Sequence, residues 1–503
     1  MLAAILVATS LAIAAPQQAA PPAPKPEPAP QAAPAEPKET ESVTRHAVAI
    51  DGAKIAYTAT AGTLILRDGA GKPRASMFYV AYVKDGEDPA SRPVTFSFNG
   101  GPGSAAVWVQ YGAFGPKKVL SDDEGWPQPP PGKLIDNPFS ILDLTDLVFI
   151  DPVGTGFSRA APGGDAKPFY SLRGDVESVG DFIRLWTTRA KRWASPKFVA
   201  GESYGTTRAA GLAAYLQNRH GMYLNGVVML STILNWQNEE INPGNDTAYI
   251  IHLPSYTAAA WYHRKLAPEL QADLRKTLKE VEAFATGEYA SALLAGDWLP
   301  DDQRRAVGQK LARFTGLSPD YVERTNLRID NARFTKELLR DRGRTIGRLD
   351  MRFLGYDRDS AGERVEFDPA SQAVNVGYIA MLSDYLRREL GYESDLTYEF
   401  SARVGRDWTW DEFTNQYVNV SEDLRGAITR NPKLKVLFLS GYYDLATPYF
   451  DTPFSVAHLG LPKELRGNIQ IEYYEAGHMM YIRKVDHAKL KKDLTTFFKA
   501  ATR

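Results

Sequence analysis

The chain has 503 residues, 44% hydrophobic and 24% charged, which suits one large soluble core with a smaller inserted or appended part. Lys and Arg number 59 against 60 Asp and Glu, a net charge of −1, so nothing points to nucleic acid or an anionic membrane as a partner. The absence of cysteine excludes disulfides, thiolate metal sites, a cysteine nucleophile and a lipoprotein anchor.

Residues 1–15, MLAAILVATSLAIAA, form a short apolar run ending in small residues, and Ala12-Ile13-Ala14 fits a small-x-small cleavage pattern. An export signal is expected here, sending the protein to the periplasm or the cell exterior, although no Lys or Arg precedes the run. The run is too short for a stable membrane anchor. The Pro/Ala-rich stretch that follows, most biased over 16–39, has no apolar period and reads as an extended linker through residue 42.

From residue 43 the pattern becomes that of a folded domain. Residues 46–50, 54–66, 76–83 and 93–98 are rich in Val, Ile, Tyr and Phe, are bounded by breakers, and read as strands. Residues 147–150, 197–200, 226–230, 436–439 and 469–474 are short and mostly continuously apolar, as strands buried on both faces are. Helical stretches over 172–192 and 206–219 lie between several of them. Such alternation predicts a doubly wound, mostly parallel α/β sheet. Residues 263–285, 301–314 and 330–342 are charged, helix-forming and poor in strand signal. Residues 241–400 are therefore expected to form a mostly helical cap over the carboxyl ends of the strands, splitting the core into 43–240 and 401–503.

Between the strand at 197–200 and the helix at 206–219 lies Gly201-Glu202-Ser203-Tyr204-Gly205, a G-x-S-x-G match in strand–turn–helix context. A tight turn of this kind lifts the serine hydroxyl above the sheet. The plainer reading is a βα loop with Ser203 as a helix N-cap. A serine nucleophile needs a base, and the base an orienting acid, in the chain order Ser…Asp/Glu…His. Of seven histidines, His478 directly follows the strand at 469–474, whereas His458 and His487 fall in helix-like segments and read as surface residues. Asp444 follows the strand at 436–439, with Asp451 the weaker alternative. The triad is thus read as Ser203, Asp444 and His478. The strand ending at Phe98 runs into Asn99-Gly100-Gly101-Pro102-Gly103-Ser104. Backbone N–H groups of Gly101 and Tyr204 are the expected oxyanion donors. A phosphate loop is disfavoured, since no Gly-Lys-Ser/Thr follows.

At these residues the chain resembles the serine carboxypeptidase family over roughly residues 76–500, as a divergent bacterial branch within the α/β-hydrolase superfamily. Asn99-Gly100-Gly101-Pro102-Gly103, Asn137-Pro138-Phe139-Ser140, Asp151-Pro152-Val153-Gly154-Thr155-Gly156-Phe157-Ser158, Gly201-Glu202-Ser203-Tyr204-Gly205, Ser440-Gly441-Tyr442-Tyr443-Asp444 and Ala476-Gly477-His478-Met479 occur in the family's order. The resemblance implies that Asn99, Gly100 and Glu202 hold the substrate's C-terminal carboxylate, with Glu202 protonated so that it donates. It implies an enzyme removing C-terminal residues from peptides through an acyl-enzyme on Ser203, with no cofactor and no metal. The chain departs from the family at Ala113, where a second glutamate is expected, at Ser104, where a cysteine is, and at Tyr481, where a proline is usual. The alternatives on this scaffold are an aminopeptidase of the proline iminopeptidase kind, an esterase, an acyltransferase, and a non-catalytic binding protein.

Overall fold

The computed structural model describes residues 36–402 and 404–502. The expected export signal and the linker through residue 35 lie outside the described residues. The first strand already begins at Glu41, so residues 41 and 42 belong to the sheet rather than to the linker.

Three antiparallel strands open the fold: β1 (Glu41–Ile50), β2 (Ala53–Arg67) and β3 (Pro73–Lys84). The sheet continues through β4 (Val94–Phe98), β5 (Asp146–Ile150), β6 (Lys197–Ser203), β7 (Gly226–Thr232), β8 (Lys435–Gly441) and β9 (Ile469–Tyr474). Its spatial order is β1-β2-β3-β5-β4-β6-β7-β8-β9, with residues 159–160 pairing on β3 as a tenth strand. From β5 to β9 every neighbouring pair is parallel, while β3 meets β5 antiparallel. Each strand expected from composition lies within one of these elements, except that β4 begins at Val94 and leaves Pro93 outside.

Helices cover both faces, because the side chains of each central strand alternate between two apolar layers. Val199, Val227, Met229, Val436 and Phe438 point toward α1 (Leu172–Arg189) and α2 (Tyr204–His220), meeting Val179, Phe182, Ile183, Leu212 and Leu216. Phe198, Ala200, Val228, Leu230, Leu437 and Leu439 point the other way. They share a cluster with Leu490, Leu494, Phe497 and Phe498 of the terminal helix, Lys484–Ala501. Each of the Val, Leu, Ile, Met and Phe side chains among them contributes roughly 1.5–3 kcal/mol on burial. At the amino-terminal end of the central strands, Asp146 sits between two buried arginines, 2.7 Å from Arg92 Nε and 2.6 Å from Arg192 Nη1.

The stretch 241–400 is mostly helical, including Asp246–Tyr262, Leu274–Phe284, Asp301–Thr315 and Tyr378–Arg388. The first of these helices, rich in Tyr, Ile and Ala, lacks the charged signature that marked Leu274–Phe284 and Asp301–Thr315 in the sequence, and Tyr378–Arg388 was not marked either. A third apolar cluster joins Tyr256, Leu278, Val281, Leu311 and Phe314 to Tyr442, Tyr443, Leu445 and Tyr449, which follow β8. Helix packing and the loop after β8 are therefore one structure. No helix among the described residues is long and apolar enough to cross a membrane.

Candidate active site

The carboxyl ends of β4, β6, β8 and β9 deliver the expected residues to one place. Asn99, Gly100, Gly101, Glu202, Ser203 and His478 line a common cavity with Arg348, Leu349, Ser371, Val374 and Asn375. Ser203 ends β6 and Tyr204 begins α2. Ser203 adopts φ 60° and ψ −132°, a conformation that L-residues avoid and that only the surrounding structure can hold. Gly201 is required beside it, since a Cβ there would lie 2.1 Å from the Gly205 carbonyl oxygen. Gly100 is required for the same reason, since its Cβ would lie 2.5 Å from the Tyr204 nitrogen. The loop after β4 thus rests directly on the turn that carries Ser203.

Tyr204 is the first residue of α2, so its N–H has no intrahelical acceptor and sits at the positive end of the helix. Gly101 has φ +104° and lines the cavity. Sequence reasoning did not find what locks these two segments together. Arg208, 1% exposed, donates from Nε to Asp175 Oδ2 at 2.7 Å and from Nη1 to the Asn99 carbonyl at 2.7 Å. The Tyr204 hydroxyl donates to the same Asp175 oxygen at 2.9 Å. One guanidinium therefore ties both helices to the loop after β4.

His478 Nδ1 lies 2.7 Å from Asp444 Oδ2. The Asp444 carboxylate is fully buried and also accepts from the N–H groups of Ala446 and Thr447 at 2.8 and 3.0 Å and from Thr447 Oγ1 at 2.7 Å. With Nδ1 held by Asp444, Nε2 is the nitrogen left for proton transfer. Burial disfavours a charged His478, but the Asp444 carboxylate outweighs it and raises the imidazole above its ordinary value of 6.5.

Asn99 Oδ1 accepts from the Trp108 and Val109 N–H groups, each at 3.1 Å, and Nδ2 donates to Glu202 Oε1 at 2.8 Å. Glu202 Oε2 is buried without a hydrogen-bond partner, and so is the hydroxyl of Tyr481 beside it. Burial pushes the Glu202 carboxyl up to about 7. Position 113, where the family resemblance implied a second glutamate, supplies no carboxylate: the Ala113 side chain packs in the core. The Tyr481 ring occupies the space next to Gly112, where a Cβ would meet it at 2.4 Å.

The other motifs buttress this arrangement. Asp151 Oδ1 accepts from the Ala106 N–H at 2.9 Å, and Ser158 Oγ donates back to the Asp151 carbonyl, so the 151–158 turn supports the loop after β4. Asn137 Nδ2 donates to the carbonyls of Ala113 and Gly115. Two histidine readings resolve differently. His458 is exposed, as expected. His487 is buried, with Nε2 2.9 Å from the Ala113 carbonyl and Nδ1 3.3 Å from Lys118 Nζ, because the terminal helix turns that face inward against the segment 109–115. Asp451, the weaker acid candidate, bonds to Asn238 and Ser455 rather than to His478.

Comparisons with known proteins bear on this geometry. Serine carboxypeptidase-like 26 of Arabidopsis thaliana is 31% identical over 158 residues, covering 30% of this chain and 31% of that protein. Serine carboxypeptidase-like 44 of the same plant is 27% identical over 232 residues, covering 43% and 42%. These alignments span about a third to two fifths of the relatives' lengths. The crystal structure of KEX1(DELTA)P, a prohormone-processing carboxypeptidase from Saccharomyces cerevisiae, superposes with a TM-score of 0.54 at 15% identity, covering 88% of this chain and 92% of that one. That likeness shows the α/β-hydrolase fold. The sequence profile described as serine carboxypeptidase matches residues 68–492, from β3 to the terminal helix and through every loop described above, and on that match the chain belongs to the serine carboxypeptidase family.

Proposed function

We propose that this protein is a serine-type carboxypeptidase that removes residues from the C-terminus of peptides. The observation that carries the reading is the Asn99–Glu202 pair beside Ser203, which leaves one buried Glu202 oxygen unpartnered in the cavity that holds the nucleophile. A protonated carboxyl there donates to a substrate carboxylate, whereas an ionised one repels it. Asn99 Nδ2 has a second proton to offer, and Gly100 leaves room for close approach.

The reaction follows from the remaining groups. Ser203 Oγ attacks the last peptide carbonyl and its proton passes to His478 Nε2, while Asp444 holds the ring and stabilises the imidazolium. Negative charge on the former carbonyl oxygen meets the N–H groups of Gly101 and Tyr204. The C–N bond breaks as His478 returns the proton to the leaving amine. Water, activated by the same histidine, then hydrolyses the acyl-enzyme. Neither a metal nor a cofactor takes part in this scheme.

Residues 241–400 act in this reading as the cap that shapes the side-chain pocket, supported by the cavity-lining positions Arg348, Leu349, Ser371, Val374 and Asn375. The apolar residues 1–15 support export in this reading, with peptide hydrolysis in the periplasm or outside the cell. The test is incubation with an N-blocked dipeptide, a free-amine dipeptide amide and a simple ester, with products separated by mass. Cleavage of the blocked dipeptide supports the proposal. Cleavage of only the free-amine substrate indicates an aminopeptidase, and of only the ester an esterase.

A further inference from the structure

The segment 348–351 of the inserted region is stitched to both catalytic loops. The Arg348 carbonyl accepts from the Leu445 N–H at 3.0 Å, one residue after Asp444. The Leu349 carbonyl accepts from the His478 N–H at 2.7 Å. Asp350 Oδ2 accepts from the Gly477 N–H at 3.0 Å, and the Met351 N–H donates to the Tyr443 carbonyl at 2.9 Å. The Arg348 N–H is held in turn by Asp368 Oδ1 at 3.1 Å. This backbone is bound directly to the acid and base loops, and it carries a cation.

Arg348 lines the cavity of Ser203 and His478, and among the described residues no carboxylate pairs with its guanidinium. Its neighbour Arg352 behaves oppositely, lying buried and 2.6 Å from Asp350. The positive charge of Arg348 reaches His478, Glu239 and His252, lowering the pKa of each a little. Asn99 is fixed by the N–H groups of Trp108 and Val109, and Glu202 is held by Asn99. An anchored, unpaired guanidinium in a substrate cavity selects for a carboxylate, with which it forms two parallel hydrogen bonds. The terminal carboxylate is already assigned to Asn99 and Glu202, so a different one must meet Arg348.

We infer that Arg348 gives the enzyme a preference for peptides with an acidic side chain next to the scissile bond. This rests on the carboxypeptidase reading. The carboxylate could belong to the departing residue or to the one before it, and paired substrates separate the two.

The experiment measures kcat/KM for N-blocked peptides in which Glu replaces Gln at the last position, and separately at the position before it, with wild-type protein, R348Q and R348K. Because Arg348 is solvent-exposed, the wild-type Glu/Gln ratio is expected to be about five at one of the two positions. It should fall as NaCl is raised from about 0.05 to 0.5 M, through screening. R348Q should bring the ratio to about one and R348K should keep part of it, both retaining the backbone bonds that anchor the segment. A wild-type ratio near one at both positions, or an R348Q ratio equal to wild type, overturns the inference. So does an R348Q defect equal for Glu and Gln peptides, which would make Arg348 a reader of the terminal carboxylate. Failure to cleave any free-acid peptide overturns the carboxypeptidase reading, and the inference with it.

Discussion

Glu202→Gln is the sharpest test of how the terminal carboxylate is read. Burial pushes the Glu202 carboxyl from its ordinary 4.5 up to about 7. At pH 5 the side chain is then almost wholly protonated and can donate. At pH 8 only about a tenth of it is. If binding requires the protonated form, KM for a free-acid peptide rises about ten-fold between those pH values, while amidated peptides and esters do not show that rise. The amide of Gln donates at all pH values, so E202Q should flatten the profile. A second consequence has its own sign. A carboxyl raised in the folded state binds protons that the unfolded chain releases between pH 4.5 and 7, so stability falls across that window. The gap between the two values corresponds to ~3 kcal/mol at most. Wild type should lose up to that amount between pH 4.5 and 7 from this group, and E202Q should not. KM–pH profiles on free-acid and amidated substrates, with urea melts at the same pH values, check both. Superimposable profiles for the two substrate classes would refute the argument.

Ser203→Ala should abolish labelling by a serine-directed phosphonate, and it, His478→Ala and Asp444→Asn should each lower kcat by roughly 10⁴-fold or more, because the three act as a unit. Asp146→Ala leaves Arg92 and Arg192 buried without their carboxylate and should destabilise the fold by about 3–5 kcal/mol in denaturant melts. Activity under native conditions should survive it, because that cluster lies at the end of the strands opposite Ser203.

Much of this was legible along the chain. The strands around β6, β7 and β8 announced their burial on both faces through unbroken runs of Val, Leu and Phe. The turn Gly201–Gly205 announced itself because a strained serine flanked by close backbone contacts admits little besides glycine. Loops that follow strands carried Asp444 and His478, since a parallel sheet gathers its carboxyl ends on one edge whatever the intervening length. What the sequence could not disclose were pairings made between distant segments. His487 looked like a surface residue until the terminal helix packed against 109–115. Nothing around Arg208 in the sequence marked it, and only the fold brings it to Asp175 and Asn99. Ala113 was visible as a missing glutamate, but only the packing showed that burial is the main cause raising Glu202 and that Tyr481 stands beside it. Backbone conformations and the periodicity of strands are local properties, written in neighbouring residues. The environment of a charge depends on which remote atoms exclude water from it, and that is decided only when the chain has closed on itself.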